Sequence, residues 1–159
     1  SVFAHDGAAR WQVAPLHGQF EPMATPPEAG GEVGVDQRDI EGPLVDWRAK
    51  GHVVTLAGRE PVDGKEAFKL ELKLAGGTTR YDYVDVASYQ VVRSDVPRMV
   101  RGHATVLENR FSDFREVGGI VFPHAIETHV KDRPQVLRIA VEKIELDPAL
   151  DEARFRMPH

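Results

Sequence analysis

Between His52 and Leu146 the chain repeats one pattern: short runs with alternating apolar side chains, separated by tight-turn residues, with almost no helical periodicity. The clearest run is Phe68-Lys69-Leu70-Glu71-Leu72-Lys73-Leu74, a strict period of two that places four apolar residues on one face and three charges on the other. Strands are predicted over 53–59, 66–74, 80–86, 89–95, 103–116, 120–131 and 135–146. Asp63-Gly64 marks the first reversal, because a type I′ hairpin turn needs positive φ at both central residues. Gly76-Gly77, the Ala87-Ser88 region, the Pro97 region, Gly118-Gly119 and Asp132-Arg133-Pro134 mark the others. Consecutive antiparallel strands with short links pack as neighbours, so this region, 52–146, reads as an antiparallel meander. Each strand pair adds right-handed twist, which makes a sheet of seven or eight strands curl around its apolar face.

The first third is different. Arg10 to Ala14 reads as a short early edge strand. From Pro15 to Asp39 the chain turns to Pro, Gly and acidic residues, and Gly30-Gly31 and Gly34 weaken any helix begun at Pro26-Pro27-Glu28, so this stretch is expected to be mobile. A better helix is predicted over Pro43 to Lys50, with Pro43 at its first position, Gly51 at its C-terminal cap and Arg48 and Lys50 in its last turn. Ile40, Leu44 and Trp47 then form a narrow apolar stripe able to lie on a sheet.

At 159 residues and 42% apolar composition the chain fits one domain. It has no cysteine, which excludes disulfides, thiolate metal sites and cysteine nucleophiles. A net charge of −5 with interspersed signs offers no basic stripe for a phosphate backbone, so no nucleic-acid partner is expected. No apolar run reaches the roughly 20 residues of a transmembrane helix, and the start, from Ser1, lacks the regions of a signal peptide and opens without Met, as a processed chain would.

Several blocks together carry a family resemblance: Val62 to Leu72, Tyr81-Asp82-Tyr83-Val84-Asp85, Phe111 to Pro123, and Ile144-Glu145-Leu146 with Phe155 and Pro158. In order and spacing the sequence resembles the outer-membrane lipoprotein-sorting proteins, the LolA, LolB and RseB-like half-barrels. The resemblance implies a mainly β (α+β) fold, a strongly curved antiparallel sheet forming an open half-barrel, with a short helical lid against its concave side. It implies one LolA/LolB-like domain over 1–159 lacking the N-terminal strands of other members, a Pro/Gly-rich lid segment over 20–51, and a periplasmic or cell-envelope location. The carriers' lid-contacting arginine lies before the position matching Ser1, so no residue here inherits its role, and the lipidated cysteine of the receptor has no counterpart.

The candidate ligand-binding residues are Leu44 and Trp47 on the lid, and Phe68, Leu70, Leu72, Leu137, Ile139 and Val141 on the concave face. A face of this kind either takes an acyl chain or is ordinary core beneath the lid. Asp113 and Arg115 have the spacing of a same-side ion pair, and Asp82 and Asp85 point to opposite faces of their strand, with Asp85 read as the turn residue that closes it. The seven histidines show no metal-ligand spacing, and Ser1, Ser88, Ser94 and Ser112 lie in no nucleophile motif. The expected function is therefore a non-enzymatic one, with no cofactor: binding a lipid or acylated lipoprotein on the concave face. The rival is a protein-interaction or sensing module with a filled core, and a lipid esterase stands behind both. An exposed sheet edge also pairs readily with a second copy, so a homodimer through such an edge is expected.

Overall fold

The computed structural model describes residues 2–5, 10–14, 18–24, 41–100, 103–131, 133–134 and 136–157. They fall into two compact units, one formed by 1–34 with 147–159 and one by 35–146.

The smaller unit holds strands β1 (Val2–His5), β2 (Arg10–Ala14) and β3 (Gln19–Ala24) in an antiparallel sheet of order β1-β2-β3. Arg10 to Ala14 is thus the middle strand and not an edge, because Gln19–Ala24 adds a strand on its far side. Sequence reading passed over β3 because it lies in the Pro, Gly and acidic stretch from Pro15 to Asp39 expected to be mobile; the Pro22 within it needs no ladder partner on an edge strand. The indole N–H of buried Trp11 donates to the carbonyl of Phe155 at 2.8 Å, which ties β2 to a short 3-10 helix, Glu152–Phe155. The Asp151 carboxylate caps that helix by accepting from the Ala153 N–H at 2.9 Å. Residues 25–40, including Pro26-Pro27-Glu28 and Ile40, lie outside the described residues.

The larger unit is an open seven-stranded antiparallel meander, in the order β10-β9-β8-β7-β6-β5-β4. Its strands are β4 (Val53–Val62), β5 (Lys65–Lys73), β6 (Thr79–Asp85), β7 (Val91–Val100), β8 (His103–Val117), β9 (Ile120–Val130) and β10 (Val136–Ala140). The predicted hairpins follow from φ: Asp63 at 49° and Gly64 at 80° join β4 to β5, and Gly118 at 58° and Gly119 at 84° join β8 to β9. Between β6 and β7 the Asp85 carboxylate accepts from the N–H groups of Ala87 and Ser88 at 3.1 and 2.7 Å, so Asp85 builds the turn that was assigned to it.

Three expectations are corrected. No helix forms over Pro43 to Lys50; these residues make consecutive turns, because Asp46 adopts φ 48°, where a right-handed helix cannot continue. The cap signal itself was sound: Gly51, at φ 72°, donates to Arg48 O, and His52 donates to Trp47 O, the paired bonds of a Schellman ending after a single turn. Pro97 is not at a turn but inside β7, opposite Val106. The Lys131 N–H donates to Val106 O, so Val106 points its backbone groups at β9 and the missing N–H of Pro97 faces the β6 side, where pairing has already ended at Asp95. The last strand stops at Ala140 instead of reaching Leu146, although the Val141 N–H still reaches His124 O at 2.8 Å.

Candidate functional site

Directly opposed residues of an antiparallel pair share a face, so the register assigns every strand residue to one of two surfaces. One face collects the charges. Glu60 pairs with Lys69 at 2.6 Å, and the Lys69 ammonium lies 5.1 and 5.6 Å from the ring centroids of Tyr81 and Tyr83. The Tyr83 hydroxyl donates to Asp95 at 3.1 Å, and Arg93 bridges Asp95 and Glu108 at 2.7 and 3.0 Å while lying over the Tyr83 ring. Arg110 pairs with Glu108 at 2.7 Å and with Asp63 at the hairpin tip, and Arg138 pairs with Glu127 at 2.7 Å. Cations and anions thus alternate across the sheet. The hydrogen bond to Glu60 holds the Lys69 pKa above its ordinary value, and burial followed by the Asp95 charge raises that of Tyr83.

A buried cluster of Val62, Ala67 and Tyr83, with Tyr81 against it, also lies on this charged face, but the opposite face carries most of the large aliphatic side chains. It presents Val54 and Leu56 from β4, Phe68, Leu70 and Leu72 from β5, Val96 from β7, Leu107 and Phe111 from β8, Ile126 from β9, and Leu137 and Ile139 from β10. Val141 continues the β10 alternation opposite His124. The candidate residues Phe68, Leu70, Leu72, Leu137, Ile139 and Val141 therefore lie on one surface, in two groups separated by the intervening strands β6 to β9. Leu44 and Trp47 are half-buried in the turn segment before β4. The Arg48 guanidinium lies 4.0 Å from the centroid of the Trp47 ring. That segment meets the sheet near Ala75, whose N–H donates to His52 Nδ1 at 3.1 Å.

Sequence reading missed what crosses the middle of the apolar face. Asp82, Ser94, Asn109 and Thr128 stand opposite one another on β6, β7, β8 and β9, in a transverse polar row. Thr128 donates to Asn109 Oδ1 at 2.8 Å, Asn109 donates to Ser94 Oγ at 3.4 Å, and Arg80 donates to Asp82 through Nε and Nη2 at 3.0 and 2.6 Å. Asp82 and Ser94 are each 1% exposed and their neighbour Leu72 is fully buried, so the centre of this face is closed. Its flanks are open: Leu56 is 59% exposed on β4, and Leu137 is 60% exposed on β10. Burial raises the Asp82 pKa, against the opposing pull of Arg80. Each polar residue alone looks like a break in its strand's alternation, and only the register brings the four into line.

Of the serines, Ser88 donates to Asp85 within its turn, Ser94 belongs to the row, and Ser112 is exposed on β8. Asp113 pairs with Arg115 as the spacing predicted, and this bond holds the Asp113 pKa below its ordinary value. Among the described residues no group of His, Asp or Glu is arranged to hold a metal ion, and no helix is long and apolar enough to cross a membrane.

No protein-family model matches the chain. No curated protein matches it. Two solved structures do. A domain from Vibrio parahaemolyticus assigned to outer membrane lipoprotein sorting has 14% sequence identity and a TM-score of 0.61, covering 92% of this chain. A DUF1329 family protein from Desulfovibrio piger has 17% identity and a TM-score of 0.66, covering 93% of it. The chain spans 63% and 62% of the lengths of those two chains. At these identities the likeness is one of fold: the chain is built like an outer-membrane lipoprotein-sorting domain.

Proposed function

We propose that this protein is a non-enzymatic component of the cell envelope that binds a lipid or the acyl chains of a lipoprotein on the apolar face of its seven-stranded sheet. The observation that carries this reading is the distribution of exposed hydrocarbon. Leu56, Leu137 and Ile139 are 59%, 60% and 44% exposed on the same face as Phe68 and Leu70, while the other face carries most of the paired charges. A fully buried Leu or Ile side chain contributes about 1.5–3 kcal/mol, so an acyl chain that covers these flanks gains binding free energy. The sheet curves around this face as a half-barrel, and the turn segment with Leu44 and Trp47 acts as its movable cover. The likeness to a lipoprotein-sorting domain supports the same reading.

The test is uptake of a fluorescent fatty acid by the whole chain and by Leu137→Asp and Leu56→Asp variants, with circular dichroism as the control for folding. Saturable binding that weakens at least tenfold in folded variants is the expected result. Absence of saturable uptake by the unaltered protein contradicts it.

A second reading has its own observation. Leu72, Asp82 and Ser94 at the centre of the face are fully buried, as they are in a filled scaffold whose partners contact its rim loops. This interaction or sensing module takes up no lipid, so the same titration separates the two.

A further inference from the structure

Among the described residues no further strand pairs with the outer side of β4 or of β10, and these two edges of the seven-stranded sheet are built differently. The β4 edge is interrupted: its register shifts between Leu56 and Gly58, Gly58 sits at φ 148°, and Pro61 has no N–H to offer. A bulge, a glycine and a proline are the devices that keep an edge from pairing with another strand. β10 has none of them. It runs regularly against β9 from Val136↔His129 to Ala140↔Ala125, and its side chains Leu137, Arg138 and Ile139 are open to solvent.

The hydrogen-bond phase shows which backbone groups β10 leaves unused within the sheet. The Val141 N–H donates to His124 O, so residues 137, 139 and 141 turn their backbone groups toward β9. Those of Val136, Arg138 and Ala140 then point to the outer side, and a partner that extended the strand by two residues would add those of Glu142. An antiparallel partner must match them, and a second copy of the same strand can do so by two-fold symmetry. Centring the axis on Arg138 sets two guanidinium groups opposite each other, and centring it on Ile139 sets Arg138 against Ala140. Centring it on Ala140 brings Arg138 opposite Glu142 of the second copy, twice, and Ile139 opposite Val141, twice. Opposite charges then share one face and apolar residues the other.

We propose that β10 pairs edge to edge with β10 of a second copy of this chain, on a two-fold axis through Ala140. The proposal stands independently of any ligand. Hydrogen-bonded pairs in such a ladder have Cα atoms about 5.5 Å apart, within the span of a disulfide. The chain has no cysteine, so a single introduced thiol reports the register.

The experiment compares Arg138→Cys, Ile139→Cys and Ala140→Cys in the full chain under mild oxidation, alongside sedimentation of the unaltered protein. A dimer mass in sedimentation, with a cross-link forming fastest in Ala140→Cys, is the expected result. Two variants check the interface without a thiol. Glu142→Arg lowers the dimer fraction by setting Arg against Arg138, and the exchanged pair Arg138→Glu with Glu142→Arg restores it. A monomer at all concentrations overturns the proposal, as does fastest cross-linking through residue 138 or 139.

Discussion

The two faces of the seven-stranded sheet solve the same problem in opposite ways. Polar side chains on the charged face remain partly solvated, and each ion sits near an opposite one set in place by cross-strand register, as Arg93 does between Asp95 and Glu108. Pairs of this kind are individually weak and contribute mainly by fixing which strand lies beside which. The apolar face also carries two exposed ion pairs, Arg59–Glu66 and Asp113–Arg115, but its enclosed polar groups, Asp82 and Ser94, have almost no contact with water. There each hydrogen bond matters more, because a buried group without its partner retains the full cost of leaving water. The number of ion pairs on a surface is therefore a poor guide to where the sheet is vulnerable.

The largest effect expected from this contrast is at Arg80. Its removal in Arg80→Met leaves the Asp82 carboxylate buried without its cation, and urea unfolding should show a loss of about 3 kcal/mol. Adding Asp82→Asn to that variant should recover most of the loss; equal losses in both would break the argument. The same carboxylate sets a pH dependence. Its folded pKa is raised above the unfolded 3.8, so the folded state binds the proton more tightly. Stability should fall as pH rises from 3.8 through the raised value, and Asp82→Asn should lose that component of the profile. Asp113, whose pKa is lowered by Arg115, runs the other way: its contribution is present above 3.8 and disappears as pH falls through the lower folded value.

A middle-sized effect is expected at the β8–β9 hairpin. Gly118 is at φ 58°, and a Cβ added there would lie 2.6 Å from Leu146 Cδ1, so Gly118→Ala should cost about 1–2 kcal/mol in the same assay. The smallest effect belongs to the charged face, where Lys69→Met removes the Glu60 pair and should cost about 0.5 kcal/mol. A loss at Lys69 as large as that at Arg80 would erase the difference between the faces. In the proposed cover segment, Trp47→Ala should change acyl uptake more than it changes the melting temperature; unfolding with no separate effect on uptake would remove Trp47 as a gate.

Much of the sheet was legible in the sequence because its signals are local. The alternation from Phe68 to Leu74 marked β5, and Asp63-Gly64 and Gly118-Gly119 marked reversals that positive φ requires. The turn role of Asp85 and the Asp113–Arg115 pair also depend on residues close in sequence. The errors came where a local signal was outvoted by a neighbour. Pro43 and Gly51 look like the two ends of a helix, but Asp46 turns left-handed between them, and Pro97 looks like a break until the β6 ladder is seen to end before it. The candidate apolar residues were chosen from alternation alone, strand by strand. The row from Asp82 to Thr128 could not be read that way, since its four members come from four strands and are related only by register.

The central claim is that the apolar face takes an acyl ligand, and native mass spectrometry of the purified protein, with organic extraction of whatever it carries, tests this most directly. The account predicts a stoichiometric acyl-chain ligand, or its uptake when fatty acid or phospholipid is added, and loss of that ligand in a folded Leu137→Asp variant. A clean mass for the protein alone, unchanged by added lipid, would contradict the account and leave the filled scaffold in its place.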